Sequence, residues 1–179
     1  MTDAALVVAL ANAQAPRRPP HARAPLAYDG LADAASANEL LGTFLDRPVR
    51  PQGLEAVRAL QREVVTIVDA LIAGSPPALH ALNSLAAQQN ATCALERQPD
   101  GTLRKTLRPQ RSSAAAGLLI TVMDELSELE PSRLRHCARE ECHLVFYDAT
   151  RSGTQRWHAE RPCGLRERQR RHRNRHGLR

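Results

Sequence analysis

The sequence predicts a mainly α-helical protein with one small β-hairpin: an α-rich domain over residues 1–132 and a small, treble-clef-like module over residues 133–179. Three observations predict it. Apolar residues recur at helical spacing through the middle of the chain, interrupted by a single stretch of period two around an Asp-Gly pair. Three of the four cysteines fall near the end, as Cys137-x4-Cys142 and, with a histidine, His158-x4-Cys163. The basic charge follows them: residues 151–179 hold ten Arg against two Glu, so a chain of net charge +6 is slightly acidic over residues 1–150.

Taken in order, Met1–Leu10 has an apolar run but an Asp at position 3 and no basic n-region. It fails as a secretory signal and is expected to be a short strand or helix packed on the main domain. No stretch approaches a membrane span. Residues 16–29 are proline-rich and cannot be helical throughout. Asp33–Phe44, with Leu40, Leu41 and Phe44, reads as a short helix broken by Arg47-Pro48-Val49-Arg50-Pro51. Leu54–Ala73 is the best helix: Leu54, Val57, Leu60, Val64, Ile67, Val68 and Leu71 make one broad apolar face, and Gly74 stops it. Ser75 as N-cap and Pro76 at the first helical position predict a helix to about Gln89 that buries Leu79, Leu82 and Leu85.

Thr92–Leu107 changes period and reads as a hairpin turned at Asp100-Gly101 and closed by Pro109. Cys93 lies on its first arm, where a small apolar residue is the expected role rather than a redox thiol. Ser112 or Ser113 then caps a helix reaching Glu130, with Leu119, Val122, Leu126 and Leu129 on one face and Asp124, Glu125 and Glu128 on a solvated one.

Two short-spaced ligand pairs joined by a loop of this length are how a tetrahedral Zn²⁺ site is usually written, here with Cys137, Cys142, His158 and Cys163 as the candidates. A module this short cannot build a sufficient core, so a metal is the natural staple. Of five aromatic residues in the chain, Phe146, Tyr147 and Trp157 lie between the pairs and are expected to form its small core. Leu144–Asp148 is expected to be one arm of a hairpin, Ser152-Gly153 its turn and Gln155–His158 the returning arm. His136 and His143 break the paired spacing, and His172 with His176 form an i,i+4 pair whose ordinary role is packing or a solvated face. The letters His158-Ala-Glu160 and Pro162-Cys163 also occur in zinc deaminases. That chemistry needs a second Cys where this chain has Arg166, and an open metal position that four protein ligands remove. No phosphate-binding glycine loop or nucleophile elbow is present, so no enzyme is expected.

The run Arg135-His136-Cys137, Cys142 to Asp148, Arg156-Trp157-His158 and Cys163-Gly164-Leu165-Arg166 resembles the CGNR-type zinc finger. That finger closes most bacterial proteins of the ABATE group, described as stress-induced transcription regulators, and the likeness extends more loosely upstream. In the family the third ligand is usually Cys directly after the Trp, and the tetrad has Asn in third place. Here these positions hold His158 and Leu165. Imidazole replaces thiolate readily at zinc, whereas leucine forfeits whatever hydrogen bond the Asn side chain makes. The resemblance implies a DNA-binding transcription regulator, with the upstream domain as sensor or as dimerisation unit; only the second role would make the protein a homo-oligomer.

Charge leads the same way. Arg166, Arg168, Arg170, Arg171, Arg173 and Arg175 on a terminal helix suit an anionic polymer, DNA first, with an acidic protein surface or RNA as the alternative. At 100° per residue, Arg166, Arg170 and Arg173 share one sector and Arg168, Arg171 and Arg175 the opposite one. Between them Leu165, Gln169, His172 and His176 form the strip expected to pack on Phe146 or Trp157. Thiols clustered as metal ligands suit a reducing cytoplasm.

Overall fold

The computed structural model describes residues 4–14, 29–88, 91–97, 99, 103–109, 113–139, 141–175 and 177. Most of the proline-rich stretch 16–29, the Asp100-Gly101 turn, Ser112 and His176 lie outside them. The apolar run near the start is a helix, α1 (Ala5–Ala11), with Leu6, Val7 and Leu10 buried. Asp33 caps α2 (Ala34–Leu41) by accepting from the Ser36 amide at 2.8 Å, and Arg47–Pro51 breaks the chain as expected before α3 (Leu54–Ile72). Six of the seven apolar positions read from the α3 sequence are buried; Leu71 is partly so. Gly74, at φ +68°, takes the left-handed conformation that ends the helix.

The next helix, α4 (His80–Ala87), starts later than Ser75-Pro76 suggests. The reason is Pro77. A residue preceding proline is pushed out of the helical region, so Pro76 cannot serve as a first helical residue. Residues 75–79 run without regular structure, and Leu79 is exposed, while Leu82 is buried and Leu85 partly so. The hairpin follows as β1 (Ala91–Arg97) and β2 (Leu103–Pro109), antiparallel, with Cys93 opposite Leu107. Ser113 caps α5 (Ala114–Glu128) through Ala116 N–H at 3.1 Å.

The core lies where α1, α3 and α5 meet, with Leu6, Leu10, Leu60, Ile67, Leu118 and Val122 fully buried. One acidic residue expected on a solvated face is used. Glu125 accepts from the Leu6 and Val7 amides at 3.1 and 2.8 Å, serving the first turn of α1, whose amides have no acceptor within their own helix.

After a short turn at Pro131–Arg133, β3 (Leu134–His136) pairs antiparallel with β4 (Val145–Tyr147). This corrects the expected pairing of Leu144–Asp148 with Gln155–His158. Residues 149–156 are nearly all polar and offer no buried face, whereas Leu134 does. Alternation along the strands puts Leu134, Val145 and Tyr147 on one side and Phe146 on the other. Leu134 and Val145 join the same apolar cluster as the helices, with Tyr147 packed on it, so Tyr147 faces the helices rather than a separate aromatic core. Asn12, at the end of α1, completes the join. Its side chain donates to Val145 O at 2.8 Å and accepts from Val145 N–H at 2.9 Å, occupying the outer edge of β4 as a strand would. No helix among the described residues is long and apolar enough to cross a membrane.

Candidate metal centre and basic helix

Cys137 follows the last residue of β3, and its amide donates to Leu144 O at 2.9 Å. The chain then turns, with Cys142 N–H donating to Arg139 O at 2.9 Å, which brings the second thiol back beside the first. Ala138 N–H reaches Arg156 O at 2.8 Å, tying this knuckle to the segment that carries His158. Cys163 sits in the turn Glu160–Gly164 that leads into the last helix, α6 (Leu165–Arg175).

These elements bring Cys137, Cys142, His158 and Cys163 together, with one ligand atom of each within 4.8 Å of all the others. His158 Nδ1 lies 3.4 Å from Cys142 Sγ and 3.7 Å from Cys163 Sγ. A tetrahedral ion bound at about 2.3 Å to sulfur and about 2.0 Å to nitrogen requires ligand-to-ligand separations of roughly 3.5–3.8 Å. The donor set and its spacing therefore fit a four-coordinate ion, with Nδ1 the coordinating nitrogen. His136 and His143 are exposed and outside the cluster, and His172 is exposed on α6.

Electrostatics agree. Burial pushes the Cys142 thiol up to about 12; the Leu144 amide partly offsets it, and the neighbouring thiols add to it. The Cys163 thiol is raised, chiefly by burial and by Cys137. Burial lowers His158, keeping it neutral and available as a ligand. Such thiols hold their protons until a cation replaces them. Arg139, half of an ion pair with Glu141, favours the Cys163 thiolate.

Of the residues that hold this frame, Arg135 and Asp148 enter the sequence reading only through the family resemblance and, for Asp148, as the end of an expected strand, with no role of their own, and Arg133 not at all. Asp148 is fully buried and accepts from Thr150 and Gln155 amides at 3.0 and 2.7 Å, and from the Thr150 hydroxyl. Burial alone would raise its carboxyl, but these bonds and Arg135 hold it below its ordinary value. Its signal was the Asp-x-Thr spacing of an Asx turn. Arg133 donates to Asp148 O and Thr150 O at 3.0 and 2.7 Å, and Arg135 to Gly153 O at 2.6 Å. Gly153 takes φ +59° at this turn. Trp157 lies under the Arg156 guanidinium at 5.6 Å, and its indole N–H is buried without an acceptor among the described residues.

The terminal helix is oriented otherwise than the apolar strip suggests. Leu165, Gln169 and His172 are exposed, and the buried residue is Glu167, about 200° round the helix from Leu165. Its carboxylate accepts from Arg170 Nε and Nη2 at 3.0 and 2.8 Å and from Arg171 Nε at 3.1 Å. Those guanidiniums, led by Arg170, depress its carboxyl to about 2. Glu167 is buried while the two arginines it binds stay about half exposed, on a helix whose contacts are chiefly with the turn before it. Arg168 pairs with Glu160. The two flanks are therefore not simply unpaired arginine: Arg168, Arg170 and Arg171 have carboxylate partners, while Arg173 and Arg175 carry no ion pair among the described residues.

A knuckle, a short antiparallel pair and a helix around a Cys3His cluster define a metal-binding finger of treble-clef type. Residues 133–176 match the CGNR zinc finger. No curated protein matches the chain.

Proposed function

We propose that the finger binds one Zn²⁺ through Cys137, Cys142, His158 Nδ1 and Cys163, and uses α6 to bind duplex DNA as part of a transcription regulator. The observation that carries this reading is an exposed helix bearing Arg166, Arg168, Arg170, Arg171, Arg173 and Arg175, set directly behind the metal cluster. Arginines so concentrated suit phosphate contacts. Four protein ligands leave the ion no open position, so its role is structural and we propose no catalysis. The upstream helices would act as sensor or dimerisation unit, a reading supported by the ABATE-like character of the sequence. The clustered thiols favour the cytoplasm as the working compartment.

The test is titration of the metal-loaded protein with random duplex DNA and with structured RNA, at several salt concentrations. If about five arginines meet phosphates, log affinity falls against log salt with a slope near −4 to −5 on the duplex. Tighter binding to RNA would give the finger to an RNA partner, and a flat salt dependence to a protein partner. Metal analysis finding no zinc in protein purified without chelator would remove the structural role.

A further inference from the structure

Helix α6 has eleven residues, buries no apolar side chain among the described residues, and contacts mainly the turn before it. An isolated helix of that length is marginal in water. Its charges make matters worse, because Arg166 and Arg170, and Arg171 and Arg175, are like-charged i,i+4 pairs that oppose the helix. Beside the Glu160–Arg168 pair at its start, the helix's own carboxylate opposes this fraying. Glu167 reaches Arg170 at i+3 and Arg171 at i+4, the two spacings at which helix neighbours meet, and grips the first with a two-point contact. Both arginines remain about half exposed, at 53% and 48%. Their guanidiniums are thus fixed by one edge and still accessible to a partner.

We propose that Glu167 is a positioning residue for nucleic-acid binding: it forms the helix in advance and aims Arg170 and Arg171, so an acidic side chain strengthens attachment to a polyanion. The inference rests on the DNA-binding reading above. It predicts a sign that charge alone forbids. Glu167→Gln raises the net charge by one, and simple attraction would then tighten binding and steepen the salt slope. Positioning requires the reverse: weaker binding, by about tenfold, with a slope no shallower than that of the parent.

The experiment compares the full-length, zinc-loaded parent and Glu167→Gln on random duplex DNA across salt concentrations, with zinc content checked in each. NMR follows the Arg Nε–H signals of Arg170 and Arg171. In the parent these should be resolved and slow to exchange, and in Glu167→Gln they should be lost. A parent that fails to bind duplex or RNA overturns the functional reading, and the inference with it. A parent that binds, beside a Glu167→Gln variant that binds equally or more tightly, overturns the inference alone. Should Glu167→Gln lose its zinc, the double variant Arg170→Lys/Arg171→Lys decides: it keeps every charge but loses the planar two-point contact. It should also bind about tenfold more weakly, and parental affinity would overturn the proposal.

Discussion

His158 presents Nδ1 to two of the sulfurs, which leaves Nε2 to carry the ring proton. With Cys142 pushed up to about 12, Cys163 raised and His158 lowered, the metal-free site at neutral pH holds protonated thiols and a neutral imidazole. Zinc uptake at pH 7.5 should therefore release at least two protons, and none from His158. Calorimetric titration in buffers of different ionisation heat measures this number. His158→Cys should keep the metal and raise the release by about one proton. Without metal, the sign for His158 follows from its lowered value. Between that value and 6.5 the unfolded chain binds a proton that the folded site resists, so stability rises with pH across this window. The four ligands could be read from spacing alone because thiolate and imidazole at a knuckle have few other uses. Glu167 could not, because periodicity weighs apolar side chains and a buried carboxylate held in ion pairs looks the same in sequence as a solvated one.

Among the elements, α3 was legible nearly to its ends because its whole apolar face packs on one core. The start of α4 was not, since the Ser-Pro signal is cancelled by the residue after it. Pro77→Ala should release Pro76 into the helical region and let α4 begin at the Ser75 cap, about one turn earlier. Backbone carbon shifts for residues 76–79 would move to helical values, and unchanged shifts would locate the block elsewhere. Ser113 makes the expected contact with Ala116 N–H, so Ser113→Ala should destabilise the protein by about 1 kcal/mol in denaturant titrations. The strand pairing was missed for a related reason: β3 and β4 have three residues each, too short for alternation to appear in sequence.

At the scale of the whole molecule, Leu134 and Val145 belong to the helical core, and Asn12 is bonded to Val145. The finger and the helices should then lose structure together. Trp157, the only tryptophan, reports on the finger, while far-ultraviolet dichroism reports mainly on the helices. On heating the zinc-loaded protein, both signals should change in one transition. Chelation should lower its midpoint for both, because it loosens two apolar contributors to the shared core. A finger signal that melts alone, with the helical midpoint unmoved, would show that the join contributes little. Asn12→Ala should lower the common midpoint further, since it leaves the Val145 amide and carbonyl without partners. None of this join was visible in sequence, where its partners stand 133 positions apart.

That separation bears on how the chain is made. Helix α1 leaves the ribosome before α5 and β4, with Leu6, Val7 and Leu10 not yet covered by them, and α3 can shelter only part of it. Glu125 arrives much later, and Val145 later still. Closing a loop of that length adds only slowly growing entropy, but it cannot begin before the distant partner has been synthesised. During translation α1 is thus sealed only after its distant partners follow it, and the nascent chain carries an apolar helix until the finger's second strand is released.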